Sequence, residues 1–397
     1  MIIGRLRGFC NRTFQLEHWE AMARDTRKRP QVAASVIMRA VMEMVFFGQK
    51  SLLALDQFAR THAARRWHGS RRGLVVSDTT LQRSLAGTDL GGLRRALRHC
   101  WKVLERQGKL GARLPSGRRM RVGILDSSDF GGHDGCVFAL SGLVDAPVDV
   151  QMHPRGNELA AAEMLLARLS RTMGRGAADI VVADALYMSA SHIRQCAEQL
   201  GVHPLLKTRE ENLAIIQDAR GLFEMQAEGS DGIERLEGID RPRGTRYRIK
   251  AAGGFRWQGM PYEFKVAWVR EERLKAGSDQ DSRQDFWVIT TDGTLSARDM
   301  RELAHRRWRI ENNVFKRLNA LVGSKRCQTH DGHVKESLLL IWFLGLLMLD
   351  CWLASGEARA ACGSVIGAAN WAAVKQTCTF ITRMLCDSLC ALRAAAG

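Results

Sequence analysis

Apolar residues change their spacing along the chain, and the changes divide it into regions. From about residue 15 to 110 they cluster as helices, over 32–47 and 52–58, followed by the basic pairs Arg65-Arg66 and Arg71-Arg72. Ser77 caps a short segment, Asp78-Thr79-Thr80-Leu81-Gln82-Arg83, which resembles the second half of a helix-turn-helix; a solvated basic helix explains it almost as well. Residues 105–119 mix Arg106, Lys109, Arg113, Arg118 and Arg119 with Gly and Pro, and read as a linker that also contacts phosphates.

From residue 120 the pattern turns to strands. The apolar run 121–125 closes on Asp126, and β-prone runs follow at 137–143 and 148–152. Asn157 then caps a helix in which Leu159, Glu163, Leu166, Leu169 and Met173 recur at helical spacing. The run 179–183 closes on Asp184, a helix over 189–200 stops at Gly201, and a strand occupies 203–208. The order βββαβαβ predicts an α/β mixed sheet flanked by helices. Between residues 210 and 285 alternating segments, with a turn at Ala251-Ala252-Gly253-Gly254, predict an antiparallel β insertion ending in a loop over 276–284. A strand at 286–291 rejoins the sheet, and Ser296 opens a long helical region.

Composition narrows the partners. The chain has 397 residues and a net charge of +17, which favours a polyanion, with nucleic acid first and an acidic membrane surface second. The start lacks the apolar core of a signal peptide, so a cytoplasmic location is expected. The longest apolar run, 338–349, falls short of the roughly 20 residues that span a bilayer and reads as a buried helix. Ten cysteines form no CxxC pair; Cys327, His330 and His333 match no standard zinc spacing.

Candidate chemistry rests on three acids. Asp126 and Asp184 each end an apolar run, where a rigid strand would hold a carboxylate, although such residues often merely cap a turn. Asp129 lies close behind Asp126 and competes for the first position. Glu311 borders the stripe Ile310, Val314, Leu318 and Leu321. Arg307 lies one turn before it, as an i, i+4 ion pair or as a phosphate ligand. Three carboxylates suit divalent metal ions that serve phosphodiester cleavage.

The segment 306–317, with Val182-Ala183-Asp184-Ala185-Leu186-Tyr187 and Phe286-Trp287-Val288-Ile289-Thr290-Thr291, resembles the DDE transposases of bacterial insertion sequences over about residues 120–350. The resemblance implies an RNase H-like catalytic core with a β insertion, Asp126, Asp184 and Glu311 as catalytic metal ligands, and two Mg²⁺ ions replaceable by Mn²⁺. It further implies double-stranded DNA, both element ends and target, as the partner, contacted by Arg306, Arg307, Lys316 and Arg317. A homodimer in a synaptic complex is one arrangement such enzymes use, and no membrane is involved. One subgroup carries a Tyr, Arg, Glu, Lys signature; Arg307 and Glu311 fit it, while Ala304 and Leu318 stand at the Tyr and Lys positions. The implied layout is a helical DNA-binding region and linker (1–119), a catalytic domain in two parts (120–209 and 286–350) around the insertion (210–285), and a helical C-terminal region (351–397).

By the same resemblance, water attacks at an element end and the freed 3′-hydroxyl attacks target DNA. Trp257, Trp268 and Trp287 are candidates for stacking on an unpaired base, against core packing as the ordinary role. No Tyr follows Tyr262, which excludes a tyrosine recombinase. A nuclease without strand transfer and a binding-only derivative remain as alternatives.

Overall fold

A computed structural model describes residues 2–61, 76–225, 232–274, 283–366 and 382–387. The basic pairs at 65–66 and 71–72, and most of the 276–284 loop, lie outside the described residues. The chain divides into two compact units, one of Met1–Leu110, Ser127–Ala161 and Ile310–Gly397, the other of Gly111–Asp126 and Ala162–Arg309.

The first unit is built around the helix Gly332–Leu353, whose residues from Ser337 to Leu353 are all buried. By length and composition this helix could cross a membrane, but 94% of its most apolar stretch is covered by protein. Its lack of a polar face suits a core helix surrounded on all sides. The helices Ala34–Phe47, Asp78–Ala86 and Leu90–Arg106 pack on it, and Ser77 caps the second of these by accepting from Thr80 N–H. Gly345 permits the closest approach. A Cβ there would lie 3.1 Å from Met42 Cγ and Val45 Cγ2 and 3.2 Å from the Met42 carbonyl. Gly345→Val should therefore destabilise the protein by about 1–3 kcal/mol through overpacking, read as a lower urea midpoint; an unchanged midpoint would refute the tight contact.

The hairpin of β2 (Asp134–Ser141) and β3 (Ala146–His153) also belongs to this unit. Arg94, on the helix Leu90–Arg106, joins Asp149 of β3 at 2.8 Å and also pairs with Glu336. One guanidinium thus ties two helices to the hairpin.

The second unit carries a twisted mixed sheet. β1 (Val122–Asp129), whose last three residues run into the first unit, pairs in parallel with β4 (Ile180–Asp184), and β4 with β5 (His203–Thr208). Then β6 (Glu234–Asp240), β7 (Thr245–Arg256), β8 (Glu263–Arg273) and β9 (Arg283–Thr290) form an antiparallel ladder in the order β9, β8, β7, β6, with β9 joined to β5. The expected insertion is therefore a direct extension of the sheet.

Three local expectations need correction. β1 does not end at Asp126 but continues to Asp129. The expected turn at 251–254 lies inside β7, because Ala251 pairs with Ala267 on one side and Glu234 on the other. The irregularity that its glycines signal is a bulge opposite Phe264 and Val266, and the chain reverses at Trp257–Met260 instead. In the helix Glu158–Met173, Leu159 is exposed and Glu163 faces solvent; Ala161, Ala162, Leu165, Leu166 and Leu169 form the buried stripe.

Candidate active site

Strand register places two of the three acids together. Val122, Gly123 and Ile124 of β1 pair with Ile180, Val181 and Val182 of β4. Continuing that register by two residues sets Asp126 beside Asp184. Because side chains alternate along a strand, both carboxylates leave the same face. Asp184 closes β4 and caps the short turn Ala185–Tyr187, its Oδ1 accepting from Leu186 N–H at 3.0 Å. Among the described residues no side chain engages its other oxygen. Asp126 is less open: Arg307 Nη1 donates to its Oδ2 at 2.8 Å, with both side chains little exposed. The competing Asp129 accepts from Gly132 N–H at 2.9 Å as a turn residue.

The same register continues onto β5, where Lys207 pairs with Asp184. Its Nζ lies 3.9 Å from the centre of the Phe286 ring on β9. Burial, with Arg307, Arg209 and Arg301 nearby, pulls its ammonium down to about 8, while Glu271 opposes the change. Sequence reading missed this residue, though the short parallel strands 180–184 and 203–208 carried the signal once their offset was known.

The helix Ala297–Arg306 lies over that face. Ser296 caps it by accepting from Asp299 N–H. Arg301, nearly buried, pairs with Glu271 at 2.6 Å and Asp240 at 2.9 Å, and His305 Nε2 lies 2.7 Å from Glu271. Arg243 adds bonds to Asp240 and Glu302. Burial alone would raise the Asp240 carboxyl, but hydrogen bonds from Arg243 and Arg301 outweigh it and hold the group down to about 2. This network fixes the helix that presents Arg307.

Glu311 belongs to the first unit and is described there. It opens a widened helical turn, Glu311–Phe315, followed by the helix Lys316–Val322. Val314, Leu318 and Leu321 are buried as the stripe predicts. Asn313 donates to Asp145 at 2.5 Å, Arg317 pairs with Asp350 at 2.6 Å, and Phe315 meets Phe130 edge to face. Burial lifts the Asp350 carboxyl to about 7, Arg317 working against the rise and Asp145 with it. Glu311 itself stays part-exposed, 3.5 Å from Lys316 Nζ. Lys316 is the most open of the basic candidates, whereas Arg306 pairs with Glu302 and Arg317 with Asp350.

Trp287 is buried and stacked on Phe223, so its surface is already taken by the core. Trp268, half-buried, sits under Arg270, and Trp257 lies against Phe264. Cys327 and His330 approach to 3.7 Å, but His333 turns to the Thr88 carbonyl.

Among the described residues no group of three His, Cys, Asp or Glu side chains forms a ready metal cage. The Asp126 and Asp184 pair nevertheless suits a hard divalent cation. Mg²⁺ commonly uses one or two carboxylates with waters and substrate phosphates rather than an all-protein cage, and Asp184 keeps one oxygen open. Acids on adjacent parallel strands with cations around them can seat a metal and an anionic phosphodiester together.

A search among curated proteins finds no match. A family model, described as the transposase DDE domain, matches residues 118–348, which include Asp126, Asp184 and Glu311. On that match and on its mixed sheet flanked by helices, the chain belongs to the DDE transposase family, with an RNase H-like fold and a nuclease-type, divalent-metal-dependent activity on DNA.

Proposed function

We propose that the protein is an insertion-sequence transposase that binds its element's ends, hydrolyses a phosphodiester bond there and joins the 3′ ends to target DNA. The observation that carries this reading is the parallel register of β1 and β4, which, continued by two residues, sets Asp126 beside Asp184, the last residue of β4. Both carboxylates, with Glu311, would hold two Mg²⁺ ions, with Mn²⁺ as a substitute. Bound there, the ions supply charge stabilisation to the attacking and leaving oxygens of an in-line displacement.

The chain's own residues do the rest. Arg307 neutralises Asp126 in the free protein and offers its guanidinium to a DNA phosphate when that pairing is relaxed. Lys316, exposed beside Glu311, holds backbone phosphate as a point charge. Arg306 and Arg317 serve the fold, because their charges are engaged by Glu302 and Asp350. The net charge of +17 supplies the attraction that brings DNA to the site. On this reading residues 1–119 recognise the ends, 120–209 and 286–350 carry the chemistry, 210–285 form the insertion, and 351–397 support dimer contacts in the synaptic complex.

The test is a reaction containing labelled DNA with the element's own ends, a supercoiled target plasmid and Mg²⁺. Nicked ends together with label joined to the plasmid are expected. Nicked ends without joined product would replace this reading with a nuclease, and bound but uncut ends would replace it with a binding-only derivative.

A further inference from the structure

Lys207 is a cation on the carboxylate face with no acidic partner among the described residues. The row runs Asp126 on β1, Asp184 on β4 and Lys207 on β5: Asp184 pairs with Lys207, and the β1–β4 register continued by two residues sets Asp126 beside Asp184. Lys207 also pairs with Val288 of β9, so Phe286, two residues away on β9, shares its face. The ammonium rests over that ring, 3.9 Å from its centre. An ammonium carries three donors, and a ring face uses only part of that capacity. Two of the neighbouring guanidinium groups are ion-paired, Arg307 with Asp126 and Arg301 with Glu271 and Asp240, and Arg209 donates to the Gln284 side chain. Lys207 feels Glu271 at longer range but makes no ion pair with it among the described residues, and its strand neighbour Asp184 has a second oxygen that no described side chain engages.

We propose that Lys207 is a further catalytic residue, whose ammonium donates to a non-bridging oxygen of the scissile phosphodiester seated over Asp126 and Asp184. The proposal rests on the transposase reading above and adds to it a protein-supplied cation. A phosphodiester carries one negative charge in the ground state and gathers more on its equatorial oxygens during displacement. A donor already in place stabilises that added charge without reorganising at the moment of reaction. The Phe286 ring keeps the amine on the carboxylate face while leaving its N–H groups to the substrate. The rigid strand fixes its position relative to Asp184.

Lys207→Met and Lys207→Arg separate this role from packing. Methionine retains the apolar stem against Phe286, and arginine retains the charge. Single-turnover cleavage at saturating DNA should fall about 10²- to 10³-fold in Lys207→Met, as for loss of one preorganised donor, with binding of uncut ends little changed. Lys207→Arg should recover a large part of the rate. Thermal midpoints of both variants establish that they fold; if Lys207→Met does not, Lys207→Gln takes its place. Native rates in the neutral variant, equal losses in the neutral and arginine variants, or a loss confined to binding would each overturn the proposal and leave the transposase reading intact. Failure of the native protein to cut its ends would overturn both.

Discussion

Asp184→Asn is expected to lower the single-turnover rate of end cleavage by about three orders of magnitude, because on the proposed reading it removes charge where the displacement needs it. The substitution isolates chemistry from folding. Asp184 Oδ1 accepts from Leu186 N–H and caps the turn Ala185–Tyr187, and an asparagine oxygen accepts the same bond. What changes is the second oxygen, which no described side chain engages and which becomes an amide donor unable to bind a cation. The thermal midpoint should therefore stay close to native, and end binding in a gel shift should persist. A variant that cuts at the native rate would remove Asp184 from the reaction. Loss of rate accompanied by collapse of the midpoint would instead make it a capping residue only.

Arg301→Met should cost about 3–5 kcal/mol of stability, the usual penalty for stripping the partner from buried charges. Arg301 neutralises Glu271 and Asp240 together, and Tyr247 packs under its guanidinium at 4.2 Å. Methionine fills the stem's volume but takes from both carboxylates the guanidinium they share, leaving Arg243 on Asp240 and His305 on Glu271. Acid should reveal the same network. The folded Asp240 is held at about 2 against an ordinary 3.8. A depressed carboxyl contributes stability that is fully present above the unfolded value and lost as pH falls through the folded one. Native stability should thus decline from about pH 4 toward pH 2, and Asp240→Asn should lessen the decline. Urea midpoints across that range measure both effects; identical curves for native protein and Asp240→Asn would contradict the assignment.

How much of this was legible in the sequence depended on the range of the interaction. Asp126 and Asp184 stood out because each follows a short apolar run, and the strands formed there. Their alignment was not legible, since it depends on how far the connecting segments carry β4 along β1. The same limit hid Lys207, which sits beside Asp184 only through a second parallel pairing. Gly253 and Gly254 suggested a reversal, yet Ala251 is paired on both edges, and the glycines are taken up by a bulge while β7 runs on along β8 to Arg256. Arg306 and Arg317 were read as DNA contacts, and their ion pairs differ in how far apart the partners lie in sequence: Glu302 is one helical turn from Arg306, while Asp350 reaches Arg317 from a separate helix. The Arg301 network joins residues from β6, β8 and a later helix, a distance that local patterns do not encode.

On the proposed reading Asp126 and Asp184 together seat a divalent cation. Loading the native protein with Fe²⁺ in place of Mg²⁺, adding ascorbate and peroxide, and mapping where hydroxyl radicals cut the polypeptide tests it directly. Cuts are expected close to residues 126 and 184, suppressed by excess Mg²⁺ and absent from the Asp126→Asn, Asp184→Asn double variant. Cuts elsewhere in the chain, or cuts that persist unchanged in that variant, would contradict it.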